Sequence, residues 1–392
     1  MNKFEAVIII LIIFFGAGYF VFREDANDRT ASIPGETPEN KQEESLPGFG
    51  VPEGFSLSIF AKDLPGARVI AFDDQGEMWV SLTGKGKIVK LDENKKPVTI
   101  LGDLNNPHGI AFDNSGNLYF AEENKISILR KELIGGETKP EKIADLPEKG
   151  GGHFTRTLGF GPDGRLYVSI GSSCNVCHEE DARRAAIYSM KTDGSDFKQF
   201  AKGLRNTVFF TWNPVDGKMW GTDMGRDNLG DNIPPDEINI IKAGGNYGWP
   251  ICYGKNIHDD QFDPEGQQAA YGAGKNTCSS YQPSFVDLQA HSAPLGLAFI
   301  PEEGWPEEYW YDLLVAYHGS WNRSTPTGYK IVRLKINSKG QYEGAEDFIT
   351  GWMKSNGTKA GRPVDIKVLP GGTAYISDDD KGVIYKLSRN EE

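Results

Sequence analysis

The chain has 392 residues, a formal net charge of −13 and 47 glycines. This charge balance disfavours nucleic acid as a partner, because binding of the phosphate backbone requires a clustered basic surface. Glycine makes up about 12% of the chain against an average of roughly 7%, which is typical of a fold with many tight turns.

The N-terminus predicts a membrane anchor or an export signal. Residues 6–22 form a run of 17 uncharged residues, which as a helix of about 26 Å is just long enough to cross a bilayer with its flanking residues. No Ala-x-Ala cleavage site follows, so we expect residues 1–23 to stay as an uncleaved transmembrane anchor helix rather than to be removed as a signal. The polar segment 24–47 is expected to be a flexible, disordered tether. Residues 48–390 would then lie outside the cytoplasm, on the periplasmic or cell-surface side.

A repeated pattern runs through the rest of the chain. It consists of a hydrophobic strand, a turn of Asp, Asn or Pro with Gly, and a second strand that opens with an aliphatic and an aromatic residue. The copies begin at Ala71, Ala111, Gly159 and Thr211, and more loosely at Ala298 and Lys367. The turn glycines of the first four copies are 40, 48 and 53 residues apart, which suits one four-stranded sheet per repeat. The pattern predicts a single all-β domain, a β-propeller, whose loops at one end of a central channel can surround a ligand.

Four cysteines form two local pairs, Cys174 with Cys177 and Cys252 with Cys278. An even number of cysteines and an export signal predict disulfides in an oxidising compartment. A bridge from Cys252 to Cys278 would close a long insertion between blades. The close pair stays ambiguous, because the sequence CNVCH also fits the attachment motif of c-type haem. Its place inside a β repeat, beside a polar run, favours a structural or redox-active disulfide over haem.

Several polar residues lie at the start of a repeat or just after one of its strands. His153 precedes the inner strand of a blade, so its side chain is expected to point towards the mouth of the channel. Cationic and polar residues from other blades are expected to join it there: Arg205, Asn206, His291, Arg323 and Arg362. Converging arginines suit a ligand with several carboxylates, since guanidinium groups pair with carboxylates in two-pronged geometry.

The segment 222–250 is rich in carboxylates, glycines and prolines. Its acidic residues are Asp223, Asp227, Asp231, Asp236 and Glu237. Carboxylates and free backbone carbonyls can surround a hard cation, and oxygen ligands alone fit Ca²⁺. A solvated acidic loop is the alternative interpretation. At the end of the segment, Tyr247, Gly248 and Trp249 combine a bend with two aromatic residues, which could also be blade packing.

These residues together resemble a known family. The pair Arg205–Asn206, the run DEINIIKAGGNYGWP from Asp236 and the run GRPVDIKVLPGG from Gly361 are similar to the pyrroloquinoline quinone (PQQ)-dependent sugar dehydrogenases. The similarity is greatest to the sorbosone and pyranose dehydrogenase branch, and it extends over residues 48–388. It implies a six-bladed β-propeller with PQQ in the mouth of the channel.

The resemblance also implies roles for the candidate residues. His153 corresponds to the general base, which takes the proton of the sugar hydroxyl while a hydride passes to PQQ. Arg205 corresponds to the arginine beside the quinone oxygens, and Asn206 to its cofactor-binding neighbour. Arg362 corresponds to an arginine that holds a PQQ carboxylate, and Arg323 stands where the family has a lysine or arginine.

For Ca²⁺ the resemblance implies a mixed set of oxygen ligands. They are the backbone oxygens of Gly225 and Arg226, the side chains of Asp236 and Glu237, and the backbone oxygen of Tyr247. One departure concerns the base: nineteen residues after His153, where the soluble glucose dehydrogenase type has a supporting aspartate, this chain has Ser172. We therefore expect His153 to be less basic and less firmly oriented.

The main hypothesis is a membrane-tethered extracytoplasmic oxidoreductase. It would oxidise an aldose or a related sugar aldehyde with PQQ and Ca²⁺, and pass electrons to a quinone or cytochrome. The alternative is a non-catalytic, Ca²⁺-stabilised propeller that has lost the cofactor and serves as a binding module. A lactonase-like Ca²⁺ propeller is a third possibility, but no set of Glu, Asn and Asp residues for its metal is obvious in the sequence.

Overall fold

The computed structural model describes residues 46–136, 138–148, 152–264 and 277–390. The predicted anchor, residues 1–23, and nearly all of the predicted tether lie outside the described residues. Within the described ranges, helices that combine enough length and apolar character to span a bilayer are absent. The anchor and the tether therefore stay predictions.

The described residues form an all-β structure. Strand β1 (Phe55–Ala61) comes first in the described chain. The strands of the first three repeats are β2 (Ala67–Phe72), β3 (Met78–Leu82), β4 (Lys87–Leu91), β5 (Pro97–Leu101), β6 (Ile110–Phe112), β7 (Leu118–Ala121), β8 (Lys125–Leu129), β9 (Glu141–Asp145), β10 (Leu158–Phe160), β11 (Leu166–Ile170), β12 (Ala186–Met190) and β13 (Lys198–Lys202). Those of the remaining repeats are β14 (Phe210–Trp212), β15 (Met219–Asp223), β16 (Asp236–Ile241), β17 (Gly245–Asn246), β18 (Cys252–Tyr253), β19 (Ile257–His258), β20 (Val286–Leu288), β21 (Pro294–Phe299), β22 (Leu313–Tyr317), β23 (Lys330–Ile336), β24 (Tyr342–Ile349), β25 (Pro363–Leu369), β26 (Thr373–Asp378) and β27 (Val383–Arg389). Short 3₁₀ turns occupy Thr83–Lys85, Lys131–Leu133, Thr277–Ser280 and Glu307–Tyr309.

Six antiparallel sheets follow one another and confirm the predicted six-bladed propeller. The first three blades are β2 to β5, β6 to β9 and β10 to β13; the next three are β14-β15-β16-β20, β21 to β24 and β25-β26-β27-β1. The first strands of neighbouring blades contact one another, as β2 does with β6 and β25, so they line the central channel. In the last blade β1, from the start of the domain, pairs with β27, and Phe55 lies opposite Arg389. The chain thereby closes the ring of blades with its own N-terminal strand.

The repeated turn that defines the pattern has the same hydrogen bonds in the first two blades, around Asp73 and Asp113. In the first blade the Asp73 carboxylate accepts from the backbone N–H groups of Gln75 and Glu77, at 3.0 and 2.9 Å. Gly76 in this turn has a φ of 77°, a conformation that glycine adopts without steric cost. The second strands of the blades are buried on both faces, as β3 is along its whole length, and Trp79 and Trp220 are fully buried there.

The long insertion lies within a blade, not between blades as the sequence suggested. It joins β16 to β20, the third and fourth strands of the fourth blade. Its strand β17 pairs in parallel with β13, with Ala201 opposite Gly245, and so ties the insertion to the third blade. The hairpin of β18 and β19 follows.

Both predicted disulfides are present. Cys252 and Cys278 are bonded within the insertion, and Cys174 and Cys177 are bonded in the loop that follows β11. The c-type haem alternative is therefore wrong for this state of the chain, because each sulfur of the CNVCH motif is already bonded to the other.

Candidate functional site

A cleft of about 240 Å³ lies at the mouth of the channel. It is formed by loops that precede the first strand of a blade or follow its second strand, because these loops all lie at the same end of the propeller. Its principal polar lining residues are Arg68, His153, Arg205, Asn206, Asp227, Asp236, His291, His318 and Asn322. The structure thus brings His153 together with the adjacent residues Arg205 and Asn206 and with His291, which belong to other blades.

His153 is held at one ring nitrogen. Its Nδ1 lies 2.9 Å from both the backbone oxygen and the Oγ of Ser172, which is fully buried. A proton on Nδ1 donates to that carbonyl oxygen and leaves a lone pair on Nε2. Burial, together with the positive charges of Arg205, Arg184 and Arg156, lowers the pKa of His153 to about 3. The weak basicity agrees with the expectation from the sequence, whereas the ring is more firmly oriented than expected, because Ser172 takes the orienting position.

Arg205 is buried beneath the same cleft with nearly all its donors in use. Its Nε and Nη2 donate to the backbone and side-chain oxygens of Asn175, each at 2.9 Å, and Nη1 donates to the Met224 oxygen at 3.2 Å. Nη2 also lies 3.3 Å from the Asp227 carboxylate. The neighbouring Asn206 has a buried Oδ1 without a hydrogen-bond partner. A buried acceptor left unpaired costs free energy, and a ligand in the cleft could satisfy it.

Arg68 is a further cation in the cleft that the sequence analysis missed. It lies in β2, and its Nη1 is 2.7 Å from the Asp379 carboxylate, which also binds His318 Nε2 at 2.9 Å. The buried Arg68 Nε has no partner. Burial and the nearby charges of Arg362 and Arg68 lower the pKa of His318 to about 4. Arg68 stands at the start of a repeat like the predicted residues, so the same rule could have identified it.

The other two predicted arginines do not line the cleft. Arg362 donates to the backbone oxygens of His318 and Gly319, at 3.1 and 2.6 Å, and so braces the loop that carries His318. Arg323 donates to the Ala290 oxygen at 3.1 Å and to Asn232 Oδ1 at 3.2 Å. In this structure both guanidinium groups support loops at the mouth of the channel.

The rim of the cleft carries one prominent aromatic residue. Trp321 is 72% exposed and lines the cleft. Its neighbour Asn322 donates to the Asp227 carboxylate at 2.7 Å and contacts His291 Nδ1 at 3.3 Å. His291 in turn donates from Nε2 to the Gly230 oxygen at 2.7 Å. These bonds fix the rim loop on the acidic segment and leave the indole facing solvent.

The predicted Ca²⁺ ligands divide between two places, because consecutive strand residues point to opposite faces. Asp236 faces the cleft, where its carboxylate accepts from the N–H groups of Gly225 and Ala293, both at 2.9 Å, and from Ser292 Oγ at 3.1 Å. Burial raises the pKa of Asp236 to about 6. Gly225 also lines the cleft.

Glu237 lies on the other face of β16, beside a second cavity of about 20 Å³. Arg226, Tyr247 and Asp223 line the same cavity. Asp223 is the direct cross-strand partner of Glu237. Burial and their mutual repulsion raise the pKa of Asp223, and burial raises the pKa of Glu237 to about 7. Two buried carboxylates that repel each other favour a cation between or beside them.

The acidic segment does not gather three side-chain carboxylates at one point. Among the residues that the structure describes, no three of its carboxylates come within 4.8 Å of one another. A divalent cation in either place therefore has to draw on backbone oxygens, as the predicted ligand set of side chains and carbonyls does.

The fold and the cleft define the class of this protein: it is a six-bladed propeller with a cationic, histidine-containing cleft at the mouth of its channel. The family model described as TrAA12-like matches residues 49–390. The chain belongs to this family, and the predicted resemblance is confirmed at that level.

Two relatives illustrate the sequence similarity. An uncharacterized protein of Borreliella burgdorferi is 35% identical over 361 residues, which cover 88% of this chain and 92% of the relative. A pyrroloquinoline quinone-dependent sugar dehydrogenase of Hypocrea jecorina is 24% identical over 319 residues, which cover 66% of this chain and 72% of the relative.

Solved structures share the fold at lower identity. The calcium structure of the Trichoderma reesei carbohydrate-active enzyme of family AA12 has a TM-score of 0.72 at 22% identity, and the match covers 90% of this chain and 100% of that one. The holo form of the pyranose dehydrogenase PQQ domain from Coprinopsis cinerea has a TM-score of 0.71 at 20% identity, covering 88% and 100%.

Proposed function

We propose that the protein is a PQQ-dependent oxidoreductase that oxidises an aldose or a related sugar aldehyde, with His153 as the general base. The observation that carries the proposal is the meeting of His153, Arg205 and Arg68 around one cleft, from three different blades. The names of the similar proteins, a PQQ-dependent sugar dehydrogenase and a pyranose dehydrogenase PQQ domain, point to the same chemistry.

The donors of the cleft suit an anionic quinone. Arg68 Nε is a buried donor without a partner, which suits an anionic oxygen, whereas Asn206 Oδ1 is a buried acceptor without a partner, which suits an N–H or O–H group of a bound molecule. Arg68 and Arg205 would hold the carboxylates and oxygens of PQQ, and the Gly225 backbone oxygen and the Asp236 carboxylate, which line the same cleft, would hold Ca²⁺. Arg362 and Arg323 would support the surrounding loops. When bound, PQQ would supply the hydride acceptor and Ca²⁺ a Lewis acid that polarises it.

His153 is set up to receive a proton at Nε2. Ser172 holds Nδ1, so the ring presents its lone pair from a fixed orientation. The low pKa keeps the imidazole neutral across the physiological range, which a base requires, although it also lowers the driving force for proton transfer. Negative charge bound beside Arg205 would offset that cation and raise the basicity of the ring.

Trp321 offers a surface for the sugar. A flat, exposed indole at the rim can pack against the C–H face of a pyranose ring, while the polar groups deeper in the cleft can form hydrogen bonds with its hydroxyls.

We further propose that the enzyme is tethered to the membrane through residues 1–23, acts outside the cytoplasm, and passes electrons to a quinone or cytochrome. The hydrophobic N-terminal run and the disulfides support this location.

Dye reduction tests the proposal. The purified full-length protein is mixed with PQQ and Ca²⁺, and reduction of an artificial dye is measured with a panel of aldoses. We expect sugar-dependent reduction that is lost in Arg205→Ala and kept in Arg165→Ala, a control on a surface ion pair with Asp196. If no sugar supports reduction and PQQ leaves no spectral sign of binding, the enzyme hypothesis fails, and the non-catalytic Ca²⁺-stabilised binding module replaces it.

A further inference from the structure

The loop that follows β11 connects the two principal side chains of the cleft. It runs from Ser172 to Cys177, and the disulfide between Cys174 and Cys177 closes its second half with a Cα–Cα distance of 6.2 Å. Asn175 lies inside the closed ring of the loop. This residue was singled out neither by the repeat pattern nor by the family resemblance.

Asn175 accepts hydrogen bonds from Arg205 through two of its oxygens. Its backbone oxygen accepts from Arg205 Nε and its Oδ1 accepts from Arg205 Nη2, each at 2.9 Å. The same amide also binds the acidic segment, since Oδ1 accepts from the Asp227 N–H at 2.7 Å and Nδ2 donates to the Asp227 oxygen at 3.0 Å. Asn175 therefore fixes the plane of the guanidinium relative to both blades.

Ser172 continues the connection to His153. Its N–H donates to the Arg205 backbone oxygen at 2.8 Å, and its Oγ donates to the Cys174 oxygen at 2.7 Å. The backbone oxygen of Ser172 holds His153 Nδ1. One short loop thus contacts the imidazole at one end and the guanidinium at the other.

We propose that this disulfide-closed loop is a positioning unit for the cleft, in which Asn175 aims Arg205 and Ser172 aims His153. The proposal rests on the proposed function for its catalytic meaning, but its structural content can be tested without cofactor. The disulfide limits the loop to conformations in which the backbone oxygen and the side chain of Asn175 point to Arg205 together. A ring of so few residues contributes about 2 kcal/mol to global stability through chain entropy, less than the loop closed by Cys252 and Cys278, so an effect at the site has to be measured separately from unfolding.

The pKa of His153 reports the position of Arg205 in the cofactor-free protein. The charged groups that act on the ring are Arg205, Arg184 and Arg156, and Arg205 has the largest effect among them. If the guanidinium loses its hydrogen bonds to Asn175 and moves towards solvent, the pKa of His153 should rise towards its ordinary value. Nuclear magnetic resonance of the imidazole C–H signals measures this titration directly.

The test compares four variants with the wild type. Asn175→Ala and the double variant Cys174→Ser with Cys177→Ser should raise the His153 pKa by at least half a unit and weaken PQQ binding about tenfold. Asn175→Gln keeps an uncharged amide whose oxygen can accept from Arg205 Nη2, and it should recover part of both properties. Ser173→Ala removes only a weak contact of the Ser173 hydroxyl with Cys177 Sγ at 3.8 Å and should leave both unchanged.

Two outcomes are decisive. The proposal is overturned if Asn175→Ala and the cysteine double variant leave the His153 titration unchanged. It is also overturned if urea unfolding shows that both variants are partly unfolded without urea, because the changes in the His153 pKa and in PQQ affinity would then report unfolding. If the wild type binds no PQQ while the His153 titration responds to Asn175→Ala and not to Ser173→Ala, the positioning role stands and the proposed function fails.

Discussion

The Glu237→Gln variant tests whether the second cavity holds a carboxylate that is costly to ionise without a cation. Burial raises the pKa of this carboxyl from 4.5 to about 7, next to the carboxyl of Asp223. At about 1.4 kcal/mol per pH unit, this rise corresponds to about 3 kcal/mol of stability lost when the group is ionised without a cation. The Glu237→Gln variant removes that cost and gives up about 1 kcal/mol, because its amide NH₂ cannot accept from Gly254 or Asn239 as a carboxylate oxygen does.

The sign of the pH dependence follows from the raised pKa. Below pH 4.5 the carboxyl is protonated in both the folded and the unfolded chain, so it contributes nothing. As the pH rises towards 7 the unfolded chain releases its proton first, and the folded chain loses stability. Above pH 7 the full cost is present. Relative to Glu237→Gln, the cation-free wild type should therefore lose about 3 kcal/mol between pH 4.5 and pH 7.5.

Urea unfolding in the presence of EDTA measures this difference. Both proteins are unfolded at pH 4.5, 6 and 7.5, with Glu93→Gln on an exposed turn as the control. Saturating Ca²⁺ should then stabilise the wild type, by about 2.7 kcal/mol at a hundred times its dissociation constant, and the Glu237→Gln variant much less. A difference between the two proteins that does not change with pH would refute the reasoning. Equal stabilisation of the wild type and of Glu237→Gln by Ca²⁺ would contradict the proposal that Ca²⁺ binds in this cavity.

Three further outcomes are expected. The His153→Ala variant should lose turnover by about a hundredfold or more while its PQQ affinity, measured by absorbance, stays within threefold; unchanged turnover would exclude this base. Trp321→Ala should raise the KM for the sugar with little change in kcat, measured by dye reduction, and an unaltered KM would show that the indole does not meet the substrate. Replacing Cys252 and Cys278 by serine should lower the free energy of unfolding by about 3.5 kcal/mol in urea, because this disulfide closes a long loop, and a loss below 1 kcal/mol would contradict that.

The repeat was predictable because each of the first four blades places an aspartate and a glycine in the turn between its first two strands. His153, Arg205 and Asn206 were identifiable because they precede the first strands, which meet at the channel. Arg68 escaped notice because it lies before the recognised part of the first repeat. The sequence position of an arginine near the mouth does not tell whether its guanidinium faces the cleft or braces a loop, as Arg362 does.

The Ca²⁺ prediction shows a second limit. Asp236 and Glu237 are neighbours in sequence, so the sequence suggests one site. In a strand they face opposite sides, and the structure separates them into a cleft and a second cavity. The sequence also does not show which strands pair on either side of the insertion, so it suggested a position between blades. The pairing of β16 with β20 shows that the insertion lies within the fourth blade.

Titration of the cofactor-free protein with PQQ, followed by absorbance in the presence of Ca²⁺, tests the central claim most directly. The arrangement of Arg68, Arg205 and Asn206 predicts saturable binding of one PQQ per chain, weakened at least tenfold in Arg68→Gln. Absorbance that rises only in proportion to the PQQ added, with no saturation and no difference between the two proteins, would contradict it.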